Sequence, residues 1–237
     1  MIDQVLQLPD GQTISYQLDL RVRRTIGLKI TAEGLVVHAP KRINATQLQQ
    51  VLLQKASWIQ QKLALRENNH VSPMQWVDGE PLMFMGQDIV LSLQHHATNK
   101  AVVLQGNQLL VRSPQIDQQA FVARKVLQWF AQQALPDFKR RVELLAAQMG
   151  EKVTGVALSN ARSRWGSCNS RRQIRLNWRL IQAPPHIIQY VICHEMAHLK
   201  EMNHSARFYA VQASLFPNHV QAEKELKALS AILHRMA

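Results

Sequence analysis

The sequence predicts an α+β protein whose β-rich N-terminal part precedes a region of helices and a small sheet. Short apolar segments separated by glycine-containing turns recur over the first 140 residues, which is typical of β-hairpins. After residue 140, helical periodicity predominates, and one helical segment contains His194-Glu195-Met196-Ala197-His198. We therefore expect a β-rich region at residues 1–140 and a second region at residues 141–237 that holds a small sheet and the motif.

The N-terminal part is predicted to contain two similar halves, about 1–66 and 74–135. In the first, hairpins turn at Pro9-Asp10-Gly11 and at Glu33-Gly34, and a helix opens near Thr46. In the second, hairpins turn at Gly86-Gln87 and at Gly106-Asn107, and Asp117 is expected to cap a helix. We interpret this order as a weak internal duplication, although chance similarity between two amphipathic segments gives the same pattern.

The C-terminal part is predicted to alternate helices and strands. A helix resumes after Pro136 and ends at Gly150, and strands are expected at 153–158 and 173–181. The motif lies on an apolar helix expected from about Pro185 to Lys200. Ser205 and Asn218 are expected to cap two further helices.

His194, Glu195, His198 and His204 are the candidate metal-site residues. Two histidines four apart on a helix can bind one ion, and Glu195 between them can reach a water molecule at that ion. Catalytic zinc typically takes three protein ligands, and His204 supplies the third if the helix breaks after about Lys200. The alternative is a pair of ordinary histidines on an amphipathic helix.

The chain is strongly basic, with a net charge of +12 and a pI of about 10.2. Such a charge favours a polyanionic partner such as DNA, although a generally basic surface explains it equally well. The arginines expected to form an anion-facing surface precede the helix that carries His194 and His198. They are Arg162, Arg164, Arg171, Arg172, Arg175 and Arg179.

No long apolar run and no secretory signal pattern is present, so we expect no membrane partner and a cytoplasmic location. Cys168 and Cys193 give no disulfide framework, which agrees with a reducing compartment.

Residues 162–208 resemble the YgjP-like metallopeptidase domain family, which is related to the SprT-type zinc proteases. The resemblance depends on Arg164-Trp165-Gly166-Ser167-Cys168, on Leu176-Asn177-Trp178-Arg179-Leu180, and on the HExxH motif followed by Asn203-His204-Ser205. It implies a zincin-like domain in which His194, His198 and His204 bind Zn²⁺ and Glu195 is the catalytic base. It also implies a peptide or protein substrate.

Arg164, Trp165, Trp178 and Tyr209 are the candidate substrate-binding residues. The strand at 173–180 could offer an edge to an extended peptide, and Asn177 could orient a ligating imidazole. Two other functions stay open. One is a zinc- or magnesium-dependent nucleoside triphosphate pyrophosphatase, and the other is a nucleic-acid-binding module with a non-catalytic zinc.

Overall fold

The computed structural model describes residues 2–31, 33–68 and 72–236. The chain divides into two compact units, Met1–His70 and Val71–Ala237. The division coincides with the polar stretch between the two predicted halves, and each unit has its own hydrophobic core.

The first unit is a four-stranded sheet followed by two helices. Its elements are β1 (Ile2–Gln7), β2 (Thr13–Arg21), β3 (Gly27–Thr31), β4 (Gly34–Pro40), α1 (Ala45–Gln54) and α2 (Ala56–Asn68). The strand order is β1-β2-β4-β3, in which β1 with β2 and β3 with β4 form antiparallel pairs and β2 runs parallel to β4. Leu35 and Val37 of β4 and Leu52 of α1 are buried in the core of this unit.

The single helix that the sequence predicts to open near Thr46 is two helices. Asn44 begins α1 by accepting a hydrogen bond from the backbone N–H of Thr46 at 2.8 Å. The first helix ends at Lys55, whose φ of −100° and ψ of 4° leave the helical region. The apolar spacing continues across this residue because Leu52 and Ile59 enter the same core, so periodicity alone did not show the break.

The second unit begins with a sheet of the same design. Its strands are β5 (Pro81–Phe84), β6 (Gln87–His95), β7 (Ala101–Gln105) and β8 (Gln108–Ser113). The order is β5-β6-β8-β7, again with two antiparallel outer pairs and a parallel central pair in which Leu91 lies opposite Leu109. Both sheets therefore share strand order and strand directions.

A single 31-residue helix, α3 (Gln119–Met149), follows this sheet. The sequence predicts an interruption at Pro136 and a cap at Asp117, but the helix continues through Pro136 and its N-cap is Gln118. A proline inside a helix costs about 3 kcal/mol. Ala134 and Phe138, on either side of Pro136, are fully buried, and their packing offsets that cost. Gly150, in the left-handed region at φ 64°, ends the helix as predicted.

A three-stranded sheet then precedes the helix that carries His194 and His198. Its strands are β9 (Gly155–Ser159), β10 (Gly166–Cys168) and β11 (Gln173–Asn177), in the order β10-β11-β9. The strand predicted through Ile181 is shorter, because Asn177 accepts a hydrogen bond from Arg179 N–H and begins a 3₁₀ helix at Trp178–Gln182. Since β11 is paired on both sides, the edge predicted for it is not free, and β10 is an edge strand instead.

Three helices complete the chain: α4 (Pro185–Ala197), α5 (Ala206–Leu215) and α6 (His219–Leu233). One continuous core joins the second sheet to them, since Leu91, Phe130 and Ile192 belong to the same buried cluster. The boundary expected at residue 140 thus falls inside α3, whereas the division by contacts lies at residue 70. The overall class is α+β. Within the described residues, no helix combines the length and apolar character needed to cross a membrane.

Candidate metal centre

Helix α4 carries the first two candidate ligands. Pro185 at its first position suits a helix start, since proline's fixed φ is already helical and its missing N–H would be unpaired there. Ile187, Ile188 and Ile192 are fully buried and fix the helix in the core. His194 and His198, four residues apart, therefore project from the same face, with ring centroids 5.2 Å apart.

The chain turns sharply after α4 and brings back the third histidine. The helix ends at Ala197, and the N–H groups of Leu199 and Lys200 donate to carbonyls of the last turn at 3.1 and 3.0 Å. Ser205 then begins α5 by accepting a hydrogen bond from Phe208 N–H at 3.3 Å. The helix stops earlier than the predicted Lys200, and this earlier stop leaves His204 free to face α4.

The three imidazoles converge on one point. One ring nitrogen from each of His194, His198 and His204 lies within 4.8 Å of the others, and Nε2 of His204 is 3.1 Å from Nε2 of His194. Two nitrogen ligands of a tetrahedral zinc ion, with bonds of about 2.0–2.1 Å, lie about 3.3 Å apart. The donor set and its spacing therefore fit a divalent transition metal.

Phe208 forms one wall of this histidine cluster. Its ring centroid lies 5.0 Å from that of His194, 4.6 Å from that of His198 and 4.7 Å from that of His204, and the side chain is fully buried. The histidines thus meet over an apolar surface, where Coulomb interactions are stronger than in water.

Burial controls the ionisation of the cluster. Burial, reinforced by the neighbouring His198 and His204, lowers the pKa of His194 to about 4. Burial also lowers the pKa of His198. Because a metal binds the neutral imidazole, both shifts keep these rings in the form that binds a metal at neutral pH.

Glu195 lies in the same cavity with 5% of its surface exposed. Burial raises its pKa to about 8, and the positive charge of Arg164 opposes the shift. The backbone of Gly166 on β10 packs directly against it: a Cβ at residue 166 would lie 2.6 Å from Glu195 Cγ and 2.7 Å from Cδ. Only glycine at position 166 leaves room for this carboxylate.

The candidate site opens as a cleft of ≈460 Å³. One wall is the segment Arg164–Cys168, which includes the edge strand β10, and the floor carries Glu195 and the three histidines. Tyr190 and Leu226 also line it. The cleft can hold a substrate segment beside an unpaired strand edge.

The structure separates the candidate substrate-binding residues. Arg164 and Trp165 line the cleft, and Trp165 stacks on His234 with ring centroids 4.5 Å apart. Tyr209 is half exposed, and its ring lies 6.4 Å from that of His204. Trp178 instead lies in the core, where its indole N–H donates to Asn160 Oδ1 at 3.1 Å.

Asn177 also has a structural role rather than the ligand-orienting role considered for it. It is fully buried, and its side-chain nitrogen donates to the carbonyl of Ala161 at 2.8 Å while its oxygen accepts from Arg179 N–H at 3.1 Å. Both hydrogen-bonding atoms of the amide are therefore occupied by backbone.

Two of the six clustered arginines also have structural roles. Arg179 is 3% exposed, stacks on Trp178 at 4.5 Å and donates to the carbonyl of Met236 at 2.9 Å. Arg172 pairs with Glu151 and donates to the carbonyl of Lys152 at 2.7 Å. Arg162, Arg164, Arg171 and Arg175 are exposed.

Sequence reasoning did not select Tyr190, which lines the cleft, or Gln212, which is buried on α5. Tyr190 stands four residues before His194, so helical spacing alone places it on the same face. Gln212 stands four residues after Phe208 and is a polar residue on the buried face of α5. A polar side chain in an apolar stripe was the available signal.

Residues 24–229 match the family model described as YgjP-like, metallopeptidase domain. The chain belongs to this family. It is therefore a metallopeptidase, a hydrolase that needs a metal ion and acts on peptide or protein substrates. Among the described residues, the histidine cluster is the group of side chains that could hold that ion.

Among solved structures, the chain is similar to one titled as the crystal structure of the metallopeptidase zymogen of Methanocaldococcus jannaschii jannalysin. The identity is 21%, the TM-score is 0.34, and the alignment covers 40% of this chain and 96% of that chain. A search of the curated proteins found no match.

Proposed function

We propose that this protein is a zinc peptidase in which His194, His198 and His204 hold the ion and Glu195 is the general base. The observation that carries the proposal is a buried carboxylate in the same cleft as three converging imidazoles. Imidazole ligands suit zinc, and a site with three protein ligands keeps one position open for chemistry.

A bound zinc ion would lower the pKa of a water molecule toward about 7 and polarise the scissile carbonyl. Glu195 would take the proton of the attacking water and later give it to the leaving amine. Its pKa of about 8 in the metal-free protein shows how strongly its surroundings disfavour charge, and a cation nearby would lower that pKa. The carboxylate would then be ionised at neutral pH.

We propose that the substrate binds as an added strand along β10. Gly166, Ser167 and Cys168 line the cleft, and within the described part of the chain their strand is paired on one side only, with β11. An extended peptide there would use backbone hydrogen bonds for affinity and would lie over the histidine cluster. Arg164 and Trp165, on the same wall, are the proposed contacts for the side chains and carbonyl oxygens of the peptide. Tyr209, whose ring lies near that of His204, is a further proposed contact.

The experiment that tests the proposal compares zinc-loaded native protein with Glu195→Gln on a peptide library read by mass spectrometry. Glu195→Gln should keep zinc and lose turnover by about 100-fold or more, since general base catalysis contributes about 10²–10⁴-fold. Glu143→Gln makes the same chemical change at an exposed position of α3, outside the cleft lining, and should retain activity. Native turnover in Glu195→Gln would contradict the assigned role.

The ligand set has its own test. His204→Ala should weaken zinc binding sharply, whereas His186→Ala should not, because His186 is exposed at the start of α4 and contacts Glu225. Equal zinc affinity in both variants would remove His204 from the ligand set.

The magnesium-dependent pyrophosphatase is less well supported. Magnesium prefers carboxylate and water oxygens, whereas the group of three metal-ligating side chains found among the described residues is made of imidazoles. Peptide cleavage restored by zinc, with no phosphate release in magnesium, is the expected result.

We propose in addition that the exposed Arg162, Arg164, Arg171 and Arg175 bind a polyanion such as DNA. No acidic residue occurs between Glu151 and Glu195, so no carboxylate of that segment neutralises them. Binding should fall steeply between about 50 and 200 mM salt, as phosphate contacts require. We also propose that the two four-stranded sheets derive from a duplication, because they share strand order and directions.

A further inference from the structure

The second nitrogen of each ligating imidazole must also find a partner. A neutral histidine that binds a metal through Nε2 carries its proton on Nδ1, and that N–H is normally held by an acceptor. Nδ1 of His198 has one, since the carbonyl of Glu201 lies at 3.1 Å. His204 is exposed, so water can accept a hydrogen bond from its second ring nitrogen.

His194 is different from the other two. Its Nε2 faces His204 at 3.1 Å, and its Nδ1 is buried with no hydrogen-bond partner among the described residues. A buried N–H without an acceptor costs about 1–3 kcal/mol. A site that binds metal through Nε2 of His194 therefore needs a buried acceptor for its Nδ1–H.

Gln212 offers that acceptor. Its side chain is 2% exposed on α5, on the same face as Phe208, and its Oε1 is also buried without a partner in the described part of the chain. Helix α4 thus buries an unpaired donor and α5 an unpaired acceptor, and the two groups are chemically complementary.

Helix α5 already meets His194 on this face. The ring centroid of Phe208 lies 5.0 Å from that of His194, and Gln212 stands one helical turn after Phe208 on the same face of α5. The packing of α5 against α4 therefore directs the Gln212 side chain toward the His194 ring.

We propose that Gln212 is a positioning residue of the metal site. Its Oε1 accepts the Nδ1–H of His194, which fixes the tautomer that leaves Nε2 free for the ion. This inference rests on the proposed function, because it requires His194 to be a ligand. It assigns α5 two parts in the site, a packing surface at Phe208 and a hydrogen-bond acceptor one turn later.

The test measures zinc affinity of the full chain by competition with a chelator. Gln212→Leu removes the acceptor and should weaken zinc binding about 10–100-fold, the usual effect of losing such a partner. Gln212→Glu keeps an acceptor at the same place and should restore most of the affinity. Gln189→Leu is the matched control, since Gln189 contacts Cys193 rather than a ligand, and it should bind zinc like the native protein.

Ring ¹⁵N shifts of His194 in the metal-free protein give a second readout that packing alone would not move. The native protein should hold its proton on Nδ1, and Gln212→Leu should lose that preference. Native zinc affinity in a folded Gln212→Leu variant would overturn the inference. If that variant does not fold, a native His194 protonated on Nε2 would overturn it instead.

The zinc affinities measured by chelator competition also separate this inference from the proposed function. If His204→Ala weakens zinc binding and Gln212→Leu does not, the role of Gln212 is wrong and the metal site stands. If neither variant changes zinc affinity, the histidine site itself is wrong.

Discussion

Replacing Gly166 by alanine should disable the catalytic carboxylate without removing the metal. The added methyl group would lie 2.6 Å from Cγ and 2.7 Å from Cδ of Glu195. Carbon atoms in ordinary contact lie about 3.5–4.0 Å apart, so the overlap is about 1 Å. Glu195 is 5% exposed on a helix fixed in the core, so the carboxylate must rotate or β10 must shift by that amount.

A displacement of about 1 Å at a reacting group can reduce the rate about 100-fold. We therefore expect kcat/KM for a cleaved peptide to fall by about two orders of magnitude in zinc-loaded Gly166→Ala. Zinc affinity should change little, because a Cβ at residue 166 meets Glu195 first and not the three histidines. Steady-state kinetics and a chelator competition measure the two quantities on the same preparation.

Gly155→Ala is the matched control. Gly155 begins β9 in the same sheet, and a Cβ there would meet nothing within 4 Å, so this variant should keep both activity and zinc. Native kcat/KM in Gly166→Ala would refute the reasoning, since it would show that Glu195 can move by about 1 Å without consequence. Loss of zinc in Gly166→Ala would show instead that the strand and the ligands are coupled.

Two further predictions concern stability. Burial raises the pKa of Glu195 from 4.5 to about 8, so the metal-free protein should lose stability as the pH rises through this window, by at most about 5 kcal/mol. Metal-free Glu195→Gln should lack this loss, so the melting temperature should fall more between about pH 5 and pH 9 in the native protein than in the variant. An equal fall in both proteins would contradict the burial of the carboxylate. Gly86 and Gly106 both have positive φ, but a Cβ at Gly86 would lie 2.8 Å from Pro184 Cα, whereas one at Gly106 meets nothing. Gly106→Ala should therefore cost about 1 kcal/mol and Gly86→Ala about 1–3 kcal/mol more in denaturant unfolding, and equal costs would contradict the close packing at Pro184.

The elements that the sequence predicted well are those controlled by local chemistry. Glycines 86 and 106 stand in hairpin turns as expected, because positive φ favours glycine wherever the turn occurs. Ser205 begins α5 through its own side chain. Periodicity missed the break at Lys55, because the apolar spacing continues across it. The interruption predicted at Pro136 does not occur, because the packing of distant residues around it overrides the local preference of proline.

The metal motif was visible because its spacing is a local property of one helix. The position of His204 beside His194 depends on a turn of a few residues, so it was also within reach of sequence reasoning. Phe208 reaches the His194 ring only because α5 packs against α4, which no local pattern determines, and Gln212 follows on the same face of α5. Trp178 belonged to the family-like motif, yet the 3₁₀ helix begins there and carries its ring into the core.

Anomalous diffraction at the zinc edge, measured on a crystal of the zinc-loaded protein, tests the central claim most directly. The account predicts one peak bonded to Nε2 of His194, His198 and His204 at about 2.0–2.1 Å, with Glu195 beside it and outside bonding distance. A peak elsewhere in the chain, or a ring of His204 turned away from the peak, would contradict the account.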